Sequence, residues 1–126
     1  MCLFCNIEEE RILAKNRFAY SIVDNFPVTS LHTLIIPNRH VETYFDLNKK
    51  ELNSINELIL KRKSEILNLD QSVTGFNIGM NCGKDAGQTI PHCHVHLIPR
   101  RKGDVTDPKG GIRHLIPGKG YYNAYN

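Results

Sequence analysis

Apolar and polar positions along the 126-residue chain fall into two rhythms, and their order predicts the elements. The first rhythm is the short run rich in β-branched and aromatic residues that marks a strand, seen over residues 12–14, 18–23, 31–36 and 75–80. Asp24-Asn25-Phe26-Pro27 ends the second run as a turn, because Asp and Asn bond their own backbone and Pro cannot continue a ladder; Pro37 ends the third. Two strands joined in this way suggest an antiparallel hairpin. The second rhythm is helical: Leu52, Ile55, Leu58, Ile59 and Ile66 form one apolar stripe, while Lys49, Lys61, Arg62, Lys63 and Glu65 are assigned to the solvated face. Asn48-Lys49-Lys50-Glu51 has the form of a capping box, so this helix is predicted to run from there to about Leu67. Shorter helical turns are expected over residues 6–10 and 41–47.

A further strand carries a different pattern. In His92-Cys93-His94-Val95-His96-Leu97-Ile98-Pro99-Arg100 the histidines alternate with apolar residues. Period two sends His92, His94 and His96 to one face and Cys93, Val95 and Leu97 to the other. Strands, one helix, then strands again make an α+β pattern with a five-stranded antiparallel sheet.

Three imidazoles on one face of a strand build a site, since a core has little use for adjacent polar rings. They suit three metal ligands, or a nucleophilic histidine with two helpers. The preceding Gly83-Lys84-Asp85-Ala86-Gly87-Gln88-Thr89 is small and turn-rich, a loop whose backbone N–H groups suit phosphate oxygens. A catalytic metal would commonly want a carboxylate nearby; Asp85 and Asp104 are the nearest, and neither lies in the strand.

Ala86-Gly87-Gln88-Thr89, two residues, then His92-Cys93-His94-Val95-His96-Leu97-Ile98 closely resembles the signature of the histidine triad family of nucleotide hydrolases and transferases. The resemblance spans residues 2–100. It implies a HIT-like α+β fold with one long helix and a short N-terminal helix, in a single domain over residues 1–126 whose residues 101–126 form an irregular extension. It also implies attack on an α-phosphate through a covalent nucleotidyl-histidine. His94 matches the nucleophile; His96, His92 and a fourth histidine, His32, complete the catalytic set, with Gln88 and Thr89 toward the phosphoryl oxygens. Asp24 matches a ribose contact and Asn81 an amide contact to the phosphate chain or leaving group. The Pro99-Arg100 ending looks like the fragile-histidine-triad and bacterial dinucleoside-polyphosphate hydrolase branch, which points to diadenosine tri- or tetraphosphate. Nucleoside phosphoramidates are the alternative substrates within the family. A non-catalytic nucleotide-binding protein and a metal-dependent hydrolase using all three histidines are the readings from other classes. Triad proteins are typically dimers, and one helix cannot cover both faces of a five-stranded sheet, so a homodimer is expected.

Composition adds the setting. A hydrophobic content of 40% with 23% charged residues is ordinary for one globular domain, and a net charge of +3 is no nucleic-acid footprint. No apolar run approaches the roughly 18 residues of a membrane span, and Met1-Cys2-Leu3-Phe4-Cys5 lacks the regions of a signal peptide, so neither membrane nor nucleic acid is expected as a partner and the cytoplasm is the expected compartment. There, four cysteines are thiols or metal ligands rather than disulfides. Cys2 and Cys5 form a Cys-x-x-Cys, and two thiolates need two more ligands to close a tetrahedral zinc site. The family resemblance supplies them: His40, in Ile36-Pro37-Asn38-Arg39-His40, and His92. Zinc held by Cys2, Cys5, His40 and His92 would be structural, and the chemistry itself would need no cofactor. Residues 102–126 are rich in Gly and Pro, and Arg100, Arg101, Lys102, Lys109 and Arg113 gather positive charge that is either ordinary solubility or a rim for polyphosphate. The apolar run over residues 112–117 is expected to pack, across a dimer partner for example.

Overall fold

The computed structural model describes residues 2–122. Five strands, β1 (Ile12–Lys15), β2 (Ala19–Val23), β3 (Thr33–Pro37), β4 (Val73–Gly79) and β5 (Val95–Arg101), and one long helix, α1 (Lys49–Leu69), form the framework. The strands make a single antiparallel sheet in the order β1-β2-β3-β5-β4. The last strand therefore inserts between β3 and β4, and the histidine-bearing segment has a paired neighbour on each side.

Period-two alternation divides the sheet cleanly. Ala19, Ile35, Val95 and Leu97 face α1 and pack against its Ile55, Leu58 and Ile66. Tyr20, Ile22, Leu34 and Ile36 face the other way, where Phe4 of the N-terminal segment covers part of them. No α-helix lies on that second face among the described residues, which leaves room there for a cavity.

The helix begins as its sequence predicts: Asn48 accepts from the Glu51 N–H at 2.9 Å and Glu51 accepts from the Asn48 N–H at 3.0 Å. It runs two residues past Leu67. Arg62 does not face water as expected. Its position, four residues from both Leu58 and Ile66, places it within the buried stripe, and Nε donates to the buried Thr33 hydroxyl at 2.9 Å.

Other boundaries shift for identifiable reasons. The helical turn expected over residues 6–10 is confined to the 3-10 turn Glu9–Arg11, and a second 3-10 turn, Leu3–Cys5, precedes it. The β2–β3 connection is longer than a four-residue turn: Asp24 Oδ1 accepts from the Phe26 N–H at 2.8 Å, and Leu31 takes a left-handed φ of 71° before the chain re-enters the sheet. Regular pairing of β5 starts only at Val95, because the Cys93 N–H donates to the Val41 carbonyl at 2.7 Å rather than to a strand neighbour. Residues 102–122 contain the 3-10 segment Gly111–Leu115 and otherwise turns; residues 123–126 of the expected extension, and Met1, lie outside the described residues.

Candidate active site

The split of the sheet decides where the histidines go. Val95 and Leu97 are paired with Ile35 and Thr33 and point into the helix-side core, so His96, paired with Leu34, projects from the opposite face. His94 lies beside it, ring centroids 5.2 Å apart. His92 is fully buried and turns toward the N-terminal thiols.

Hydrogen bonds fix the proton of each ring. His94 Nδ1 lies 2.9 Å from the His92 carbonyl. A carbonyl only accepts, so Nδ1 carries a hydrogen, and the neutral ring then has its lone pair at Nε2. His32 Nδ1 accepts from the Val28 N–H at 3.1 Å, so its proton sits on Nε2 and faces His96 Nδ1 at 2.9 Å. His96 Nδ1 is thereby an acceptor, and neutral His96 presents an N–H at Nε2. Burial, then the neighbouring His94 and His32, push the His96 pKa down from 6.5 to about 4, so the ring is neutral near pH 7. Burial also lowers His32, partly offset by Asp24, whose Oδ2 stands 3.5 Å from His32 Nε2. One free imidazole lone pair thus stands beside one imidazole donor.

Both open on a cavity of about 300 Å³ on the face away from α1. Its polar wall holds Asp24, His32, Asn81, Thr89, His94 and His96, and its apolar wall holds Leu3, Phe4, Ile22, Phe26, Leu34 and Ile90, with Arg11 and Asn25 also bordering it. Such a space, one side apolar and the other able to engage sugar and phosphate, is a site for a small polar molecule with a flat ring. The Phe4 ring packs edge-on against His94, centroids 5.0 Å apart.

A second cluster lies behind the first. Cys2, Cys5, His40 and His92 bring one ligand atom each within 4.8 Å of one another. Sulfur–nitrogen separations are 3.4 Å for Cys2–His92, 3.3 Å for Cys5–His40 and 3.5 Å for Cys5–His92. Tetrahedral zinc, with Zn–S near 2.3 Å and Zn–N near 2.0–2.1 Å, sets its ligands about 3.5 Å apart, so the donors fit. His92 Nε2 donates to the Pro37 carbonyl at 2.8 Å, which leaves its Nδ1 lone pair aimed at the thiols, the arrangement a metal-ligating histidine needs.

Several expectations change. His92, His94 and His96 do not converge on one point: His92 joins the thiols, and the other group among the described residues that could hold an ion is Asp24, His32 and His96. The geometry therefore disfavours a hydrolase built on three triad ligands. Gln88 does not reach the cavity. Its Oε1 accepts from the Gly83 N–H at 2.8 Å and its Nε2 donates to the Glu42 and Ile90 carbonyls at 2.7 and 3.1 Å, so the amide braces the loop. Three further N–H groups of the loop are bonded within it, those of Ala86 and Gln88 to the Gly83 carbonyl and that of Gly87 to the Lys84 carbonyl. Gly83 and Gly87 make this turn possible by adopting φ of 95° and 93°. Two of the five basic residues of the supposed rim are paired with carboxylates: Arg100 binds both Asp104 oxygens at 2.8 and 2.9 Å, and Arg101 binds Asp70 at 2.9 Å. Within the single chain Ile112 and Leu115 stay exposed. The apolar wall was not foreseen; the exposed turn residue Phe26, 87% accessible, and Phe4 between two metal-type cysteines were the available signals.

Comparison with known proteins places the chain among relatives of the same fold. The sequence pattern described as "HIT domain" matches residues 6–103. The nitrilase and fragile histidine triad fusion protein NitFhit of Caenorhabditis elegans is 36% identical over 102 residues, covering 81% of this chain and 23% of that protein. The bis(5'-nucleosyl)-tetraphosphatase (asymmetrical) of Schizosaccharomyces pombe is 33% identical over 97 residues, covering 77% of this chain and 53% of the enzyme. The chain thus spans about a quarter and about half of these two relatives. A crystal structure of a Zn-bound histidine triad family protein from Mycobacterium smegmatis superposes with a TM-score of 0.74 at 29% identity, covering 84% of this chain and 79% of that one.

Proposed function

The chain belongs to the HIT domain family, the histidine triad proteins, and from that premise we propose that it hydrolyses dinucleoside polyphosphates, diadenosine tri- or tetraphosphate foremost, through a nucleotidyl-histidine. The observation that carries the reading is the His94 tautomer: Nδ1–H bound to the His92 carbonyl at 2.9 Å, Nε2 bare at the cavity. Base and sugar lie against Ile22, Leu34 and Phe26, with Asp24 accepting from the ribose hydroxyls. His94 Nε2 attacks the α-phosphorus in line, the P–N bond forms, and the P–O bond to the leaving phosphate breaks. The ring gains positive charge, which the His92 carbonyl stabilises at Nδ1–H. His96 Nε2–H, with Asn81 and Thr89, stabilises charge on the phosphoryl oxygens. Water then attacks phosphorus, the P–N bond breaks, and His94 returns neutral with release of nucleoside monophosphate.

Zinc on Cys2, Cys5, His40 and His92 would be structural: two thiolates and two imidazoles fill a tetrahedron and leave no position for water. We read the chain as a cytoplasmic homodimer. The unpaired edge of β4 supports this, as does the neighbouring groove between β4 and α1, lined by Tyr44, Phe45, Ile59, Ile78 and Met80 with Phe45 81% exposed.

The test is to incubate the protein with diadenosine tetraphosphate and with adenosine 5'-phosphoramidate, and to trap the intermediate by acid quench. Adenylylated His94 and release of AMP are expected, with His94→Gly losing on the order of 10⁴-fold in rate while still binding AMP. A His94→Gly enzyme that turns over normally would refute the covalent route.

A further inference from the structure

A second cavity of about 390 Å³ adjoins the first and shares four residues with it: Val28, His32, Asn81 and His96. Its remaining walls are Ile78, Met80 and Ile98 from β4 and β5 and the strand end, with Ile112 and Leu115 opposite. We propose that this groove seats the leaving nucleoside of a dinucleoside polyphosphate, so that the chain grips both ends of its substrate. The proposal rests on the hydrolase reading above.

Three observations support it. The first is placement. His94 borders the first cavity alone, whereas His32 and His96 border both. In-line displacement puts the leaving oxygen opposite the nucleophile, so a leaving group departing from His94 passes His96 and enters the second cavity. The second is size and lining: the two cavities are alike in volume, and the second is mainly apolar with the amides of Asn77 and Asn81 at its edge, which suits another base and sugar.

The third is the construction of the Gly111–Leu115 segment. In a 3-10 helix residues i and i+3 stand on one side, so Ile112 and Leu115 project together. The residues between them hold the segment elsewhere. Arg113 Nη2 donates to the Lys119 carbonyl at 3.1 Å, and its guanidinium lies 4.3 Å from the Tyr122 ring centroid. His114 Nε2 donates to the Lys109 carbonyl at 2.9 Å and its ring meets Tyr121. The polar side chains therefore brace a loop whose two apolar side chains are left 56% and 74% exposed at the groove. A flat base between them and the Met80–Ile98 wall would be desolvated on both faces.

The experiment compares kcat/KM for two substrates that share the first nucleoside but differ in the leaving group: diadenosine tetraphosphate, and adenosine 5'-phosphoramidate, which leaves only ammonia. Wild type and the double variant Ile112→Ser/Leu115→Ser are measured, with Ile98→Ser probing the opposite wall. We expect kcat/KM for diadenosine tetraphosphate to fall about tenfold, chiefly through KM, as two apolar contacts are lost, with the phosphoramidate unchanged. Equal losses on both substrates, or no loss on either, would overturn the second seat while leaving the hydrolase reading intact. Wild-type protein inactive on both substrates would overturn the hydrolase reading itself. A change in molecular mass of the double variant by light scattering would assign Ile112 and Leu115 to contact between copies of the chain instead.

Discussion

Because His96 is held neutral by burial, acid should unfold this protein earlier than its carboxylates alone would require. The folded pKa is about 4 against an ordinary 6.5. Below pH 6.5 the unfolded chain therefore binds a proton that the native site refuses, and stability falls as pH drops through that window. A shift of this size is worth about 3 kcal/mol once both states are protonated, of which about 2 kcal/mol is already lost at pH 5. His96 is only partly buried, and solvent at the cavity mouth reduces the loss to about 1–2 kcal/mol. The comparison is with His96→Asn, whose side-chain oxygen can accept from His32 Nε2 as His96 Nδ1 does. Urea titrations at pH 7 and pH 5 in zinc-replete buffer read the effect. With an m-value of about 1–2 kcal/mol/M, the wild-type midpoint should fall about 1 M further than the variant's. His32 and His92 are lowered in both proteins and largely cancel. Parallel pH dependences for the two proteins would refute the assignment of a neutral, proton-refusing His96.

Native mass spectrometry should find about one zinc per chain, lost in Cys2→Ser and Cys5→Ser; chelation should lower Tm and weaken AMP binding, because Leu3 and Phe4 lie between the two thiols and line the cavity. Thr33→Val removes the acceptor of buried Arg62 Nε and should cost about 1.5–3 kcal/mol by denaturation, with the loss largely recovered when Arg62→Met is added. Asp24→Ala should raise KM for ribonucleotide substrates and flatten the preference over 2'-deoxy analogues; an unchanged preference would remove Asp24 from the ribose contact.

What the sequence made legible was whatever local periodicity controls. Alternation placed Val95 and Leu97 in the core and His94 and His96 outside it, and the Asn48–Glu51 box marked the start of α1. What it hid was settled by partners distant in sequence. Arg62 looked solvated because a lysine-rich neighbourhood surrounds it, yet its spacing from Leu58 and Ile66 already placed it in the stripe, and Thr33 gave it an acceptor. Gln88 looked like a phosphate ligand, but Glu42, 46 positions away, claims its amide. Arg100 and Arg101 looked like a cationic rim until Asp104 and Asp70 folded against them. Leu3 and Phe4 carry no periodic signal at all; the N-terminal segment becomes a cavity wall because Phe4 packs on Tyr20, Ile22 and Leu34 while Cys5 meets His40.

The insertion of β5 between β3 and β4 makes the histidine-bearing strand intolerant of register errors. A one-residue slip of β5 against its neighbours would exchange the two faces, sending the imidazoles under α1 and Val95 and Leu97 into the cavity. An edge strand can absorb such a slip by re-pairing with one neighbour. β5 would have to break register with Leu34 on one side and Ile78 on the other at once. The same double pairing that holds His96 at the cavity therefore acts as a proofreading device for folding: the mis-registered sheet buries polar rings without partners, exposes a core, and loses to the native register.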